Sequence, residues 1–286
     1  MDRYAENDGI NTRFLNQRDV HLSLWLLVLV HLLVARLAHQ PVDDWLMIVL
    51  NTNALVLVAF LTIFHLLIEN FRQTPAGKLD LWVFGGTGVL FLITGLFGSH
   101  YDVGMVMVLI AIAYLSGFFL LPNAKFIGLV YGALAINGFI APLLFHLFKD
   151  VILIGEVLIA AAFNNLIGLE VTANGTRLSS ESGMRLEMIG ACSVYANLSF
   201  ALLGFASVKA FFKQRIVRSD VAVLFGLALG LIALNTIRLG LMAENSGAYE
   251  FWHHGDGASY FAGVQFLFIM VVCLTPVLVR QRRWHV

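Results

Sequence analysis

The sequence predicts an all-α polytopic membrane protein with about eight transmembrane helices, an outer-face interfacial helix and a short β-like segment. Three observations lead there. The 286 residues are 59% hydrophobic and only 13% charged, whereas soluble domains carry roughly 45–50% apolar and about 25% charged residues. The apolar residues fall in runs of about 20, the length that crosses roughly 30 Å of hydrocarbon. One long polar stretch, 170–190, interrupts this hydrophobic body. A water-soluble domain, a disordered chain and a basic nucleic-acid binder are thereby excluded. Two cysteines set no disulfide framework.

The elements follow in order. Residues 1–19 are polar, with Arg3, Arg13 and Arg18 among four acids, and show no cleavable signal peptide. Candidate spans cover 20–38, 45–68, 79–98, 103–121, 126–147, 192–212, 220–242 and 258–279. A ninth apolar stretch, 151–169, is weaker because it contains Glu156 and the pair Asn164–Asn165. Within 170–190, Asn174–Gly175 is a turn signal between two β-leaning pieces. No fixed-period repeat is present, so residues 1–286 read as a single integral membrane domain.

Lys and Arg in short loops set the orientation. With a cytoplasmic N-terminus, thirteen of the 18 basic residues are cytoplasmic. Arg36, Lys149, Arg177, Arg185 and Arg238 remain on the outer half. If 151–169 also crossed, the basic loops 213–218 and 280–283 would fall outside, against that rule. We therefore place 151–169 as an outer interfacial or partly buried helix. The alternative is a true span with the N-terminal half inverted. Both termini are expected in the cytoplasm.

This topology gathers reactive groups at one depth. Cys192 opens the span 192–212, Arg238 lies near the outer end of 220–242, and His253 and His254 precede the last span. A helix start favours a thiolate through its unpaired N–H groups and dipole. An arginine in an apolar span is expensive and marks a candidate site. The competing reading is an arginine snorkelling to the interface and pairing with Glu244 or Asp256. Asn235 shares a helix face with Arg238 and is placed to hold the guanidinium. Either histidine is a general base near neutral pH, or a solvated interface residue. Cys273, about 15 residues into the last span, lies too deep to bridge Cys192 and reads as packing.

Three segments carry a resemblance: Ala191-Cys192-Ser193, then Asn235-Thr-Ile-Arg238, then His254-Gly-Asp-Gly257-Ala-Ser-Tyr-Phe261. Together they resemble the signature of the exosortase/archaeosortase family of multi-pass membrane transpeptidases and proteases. The resemblance covers about 150–280; the N-terminal spans are generic. One departure is Val194, where many members have glycine.

The resemblance implies a catalytic set of Cys192, Arg238 and His254, supported by Asn235, His253 and Gly257. His254 matches the motif because glycine follows it by three residues and phenylalanine by seven. It implies a site on the outer (periplasmic) face of the cytoplasmic membrane, with no cofactor and no metal. The expected substrates are membrane-anchored proteins ending in a sorting signal: a short motif, a transmembrane helix and a basic tail. The expected acceptor is a surface polymer or lipid, or water, and no nucleic acid is involved. The rival readings are a multi-pass transporter, whose polar site would lie near mid-membrane with repeat symmetry, and a non-catalytic membrane assembly protein. Serine, zinc and prenyl-protein intramembrane proteases lack their motifs here.

Overall fold

Helices dominate because long apolar runs must satisfy their backbone internally wherever lipid replaces water. The structure, a computed structural model, describes residues 16–37, 54–69, 75–97, 102–119, 121, 123–181 and 183–282. The first half contains α1 (Gln17–Leu37), α2 (Ala54–Glu69), α3 (Lys78–Phe97), α4 (Asp102–Leu115) and α5 (Ala124–Ala135). A π-helical turn, Ile136–Ile140, then joins α5 to α6 (Ala141–Leu166). Three short strands follow: β1 (Val171–Asn174), β2 (Arg177–Ser180) and β3 (Arg185–Glu187). After a 3-10 turn at Gly190–Cys192 come α7 (Val194–Phe211), α8 (Ser219–Glu244), α9 (Ser246–His253) and α10 (Asp256–Arg282).

Among the described residues, four helices are long and apolar enough to cross a membrane: Gln17–Val34, Val194–Phe211, Ser219–Glu244 and Asp256–Arg280. The eight expected spans are therefore not all found. The helices α2, α4 and α5 end after 16, 14 and 12 residues, and 38–53, part of the expected 45–68 span, lies outside the described residues. A second correction concerns 126–147 and 151–169. The chain makes no loop between them, and α5, the π turn and α6 form one helical run. Pro142 explains the π turn, because its ring would collide with the carbonyl four residues back. A kink at Phe148, with φ −117° and ψ 18°, marks where the sequence suggests a break.

The surface is apolar: Trp82 is 77% exposed and Leu92 72%. Large side chains in such numbers suit lipid contact better than water. Beneath them lie two cores. The larger joins α1, α2, α3, α4, α5, α7, α8 and α10, with α7 the most buried of the four membrane-length helices. Polar side chains link helices inside it: Trp25 Nε1 donates to the Phe60 carbonyl at 3.0 Å and Asn137 Nδ2 to Ser199 Oγ at 2.8 Å. Such bonds are each worth about 0.6–2 kcal/mol in a membrane. At one end, His21 lies between Asp80 (3.1 Å) and the Tyr114 hydroxyl (2.6 Å), all buried. At the same end, Asp220 Oδ1 meets Lys209 Nζ at 2.8 Å and Arg280 Nη2 at 3.0 Å, tying α7, α8 and α10 together.

The smaller core lies at the opposite end. It packs Leu153, Val157 and Ala160 of α6 against Leu239 and Met242 of α8, with Cys192 included. The strands form an antiparallel meander, β1-β2-β3, with Asn174 opposite Arg177 across the Gly175–Thr176 turn. Val171, Leu178 and Leu186 face the same side and are buried in this core. The sheet and α6 thus form the floor on which the Cys192 turn sits.

Candidate active site

The three motif segments meet at the end of the bundle formed by the start of α7, the end of α8, and α9. Cys192 closes the 3-10 turn before α7 and is 2% exposed. Its Sγ lies 3.5 Å from His253 Nε2. His253 Nδ1 lies 2.9 Å from His254 Nε2. A thiol proton passes to His253 Nε2 only if Nδ1 carries the ring hydrogen and donates it to His254. Tyr249, one turn earlier on α9, stacks on the His253 ring at 4.9 Å and 15°. The half-buried His253 is thus held from two sides, while His254 is exposed.

Arg238 places both Nε and Nη2 on the Trp252 carbonyl, at 3.2 and 2.9 Å. Its Cζ stands 5.0 Å over the Phe261 ring, a cation–π contact. The guanidinium thereby links α8 to both α9 and α10, directly behind the histidine pair. Asn235 does not clamp Arg238 as its spacing suggests. Its Nδ2 donates instead to the Cys192 carbonyl at 2.9 Å, fixing the Cys192 turn to α8. Gly257 is buried, and a Cβ there would stand 2.7 Å from the Phe251 ring and 2.8 Å from its carbonyl oxygen. Only a hydrogen lets α9 fold this closely onto the start of α10.

Glu156 belongs to no motif, yet it reaches this turn from α6. Ser193 Oγ donates to one carboxylate oxygen at 2.6 Å, and the Val194 N–H donates to the other at 3.1 Å. The Tyr195 N–H goes to Ser193 Oγ at 3.1 Å, an N-cap. The free donors expected to favour a thiolate are thus already occupied. Burial accordingly pushes the Cys192 thiol above its ordinary value. A backbone hydrogen bond at Ile189 and the Arg238 charge oppose that rise, and the Glu156 charge adds to it. Burial, His254 and Arg238 hold His253 below the usual histidine value, with Glu250 opposing. Both directions favour a neutral thiol beside a neutral imidazole over the thiolate that the helix start suggests.

A crevice of about 250 Å³ opens on the other side of the turn, lined by Glu156, Tyr195, Asn235 and apolar residues of α6, α7 and α8. Cys273 lies buried in the larger core, and both cysteines are free. Among the described residues, no three His, Cys, Asp or Glu side chains gather as a metal site. The sequence motifs bring Cys192, Asn235, Arg238, His253, His254 and Gly257 to one place. They miss Glu156, which showed only as a polar interruption of an apolar stretch, and Tyr249, whose one sign was its spacing of four from His253. Comparison of the chain with protein-family models, with curated proteins and with solved structures gives no match.

Proposed function

We propose that this chain is an exosortase-like membrane cysteine peptidase or transpeptidase. It cleaves C-terminal sorting signals of exported, membrane-anchored proteins and passes the acyl group to a surface acceptor or to water. One observation carries the reading: the Cys192 thiol lies 3.5 Å from an imidazole that a second histidine orients. Nucleophile, base and orienter at hydrogen-bond reach are the signature of covalent acyl transfer.

Cys192 Sγ attacks the scissile carbonyl carbon while His253 Nε2 takes the thiol proton. The carbonyl oxygen becomes an oxyanion, and the tetrahedral intermediate collapses as His253 returns that proton to the leaving amine. Water or an acceptor nucleophile then attacks the thioester carbon and gives its proton to His253; the C–S bond breaks, and His253 returns the proton to the departing Cys192 sulfur. Because the thiol rests protonated, attack and proton transfer are coupled. Arg238 stays charged and cannot serve as the base. It secures α9 through Trp252, and its field at Cys192 favours the negative charge that develops on attack. His254, the histidine in motif register, keeps the Nδ1 hydrogen of His253 in place.

The site is read on the outer face of the cytoplasmic membrane, with both termini inside and more spans than the four helices alone provide. The distribution of Lys and Arg supports this side. That end of the bundle is where a substrate's motif meets its transmembrane helix. The test is co-expression with a protein bearing such a signal, followed by its size. Cys192→Ala should abolish processing, and His253→Ala should cost about 10²–10⁴ in rate, the usual range for a general base. Normal processing by Cys192→Ala removes the nucleophile assignment.

A further inference from the structure

Glu156 is an expensive residue to keep in an apolar helix face, and the mechanism above does not use it. It sits between the buried positions Leu153, Val157 and Ala160, which fix α6 against the smaller core. From this anchored helix its two oxygens grip adjacent residues, the Ser193 hydroxyl and the Val194 N–H. Both follow Cys192 directly. The opposite side of the same turn is held by Asn235 through the Cys192 carbonyl. The turn is therefore clamped from α6 and from α8, with the thiol on the α9 side.

We propose that Glu156 is a positioning residue for Cys192, whose carboxylate grips the Ser193 hydroxyl and the Val194 N–H and so fixes the turn that aims the thiol at His253. The inference rests on Cys192 being the nucleophile. It has a chemical corollary. A helix N-terminus next to a nucleophile is a natural oxyanion site, but here a resident carboxylate occupies it. Oxyanion stabilisation thus falls to a group on the other side of the thiol, where Arg238 lies. The arrangement is also electrostatically opposed. Glu156 from α6 disfavours a thiolate and Arg238 from α8 favours it, while His253 faces the sulfur from α9 with His254 behind it. The turn gains rigidity, and the thiol stays protonated until it reacts.

Alkylation of Cys192 reads this without any substrate. Full-length protein is treated with iodoacetamide across a pH series, and peptide-resolved mass spectrometry follows Cys192 alone. Glu156→Gln keeps an acceptor for the Val194 N–H and a donor for Ser193 Oγ, but removes the charge. Its profile should move to lower pH, with faster alkylation at neutral pH than the parent shows. Glu156→Ala removes charge and clamp together. Adding His253→Ala should then slow alkylation in the parent and in Glu156→Gln, but not in Glu156→Ala, where the thiol no longer faces the imidazole. The proposal is overturned if the Glu156→Gln profile coincides with the parent's, or if His253→Ala slows Glu156→Ala as much as it slows the parent. Loss of processing in Cys192→Ala alongside a coincident profile would leave the peptidase reading standing without this one. A shifted profile in a protein that processes nothing would leave the positioning role standing alone.

Discussion

His253 shows how much one residue's position decides. Motif register selects His254, because the glycine and phenylalanine spacing counts from it, whereas the three-dimensional arrangement puts His253 Nε2 at the thiol. Adjacent residues on a helix differ by about 100° in direction, so register alone cannot say which imidazole faces Cys192. Tyr249 settles it by stacking on His253. The pH dependence follows. In the proposed mechanism His253 acts as a base only when neutral, and its proton affinity is held below the ordinary value of about 6.5. Processing should therefore stay flat as pH falls through the usual histidine range and decline only below it. Arg238→Gln removes one cause of that depression, so its acid limb should move upward. A parent limb lying above 6.5 would show that another group limits the rate.

At the level of elements, the sequence was most legible where chemistry and apolar length coincide. The last three spans emerge close to their expected bounds, and Cys192, Asn235 and Arg238 fall at matching ends because two hairpin returns bring them there. The run from α5 to α6 was illegible for a physical reason. Lys149 and Asp150 look like a loop, yet a helix tolerates a charged pair at a kink when its other face stays packed. What packs α6 is Asn164, fully buried, with Nδ2 donating to the Ala160 and Thr236 carbonyls at 2.9 and 3.3 Å. Gly240 makes room for it, since a Cβ there would stand 2.1 Å from Asn164 Oδ1. Gly240→Ala should separate α6 from α8 and cost about 1–3 kcal/mol, the usual price of overpacking, measured as a lowered midpoint of thermal unfolding in detergent. An unchanged midpoint would mean that Asn164 relaxes freely.

For the whole molecule, net charge says nothing and charge placement says much. Thirteen of 18 basic residues sort to one side of the expected topology, and the Cys192–His253 pair lies on the other side of that topology. A cysteine introduced by Gly175→Cys, in the exposed hairpin turn beside the smaller core, should react with an impermeant thiol probe on intact cells. Labelling only after membrane disruption would reverse the orientation. The Asp220 clasp has a bearing on the same architecture. It pins α7, α8 and α10 at their far ends, and the near ends of those helices bear the Cys192 turn, Arg238 and the segment just after His254. With 17 residues from Cys192 to Lys209 at about 1.5 Å each, α7 alone separates clasp from thiol by about 25 Å. The three helices are held by the clasp at one end and by the Asn235–Cys192 and Arg238–Trp252 hydrogen bonds at the other. A tilt of about 2° at the clasp swings the reactive groups by about 1 Å, a displacement that costs an enzyme roughly a hundredfold in rate. A single carboxylate on one side of the bundle thus shares in aligning the groups that meet on the other.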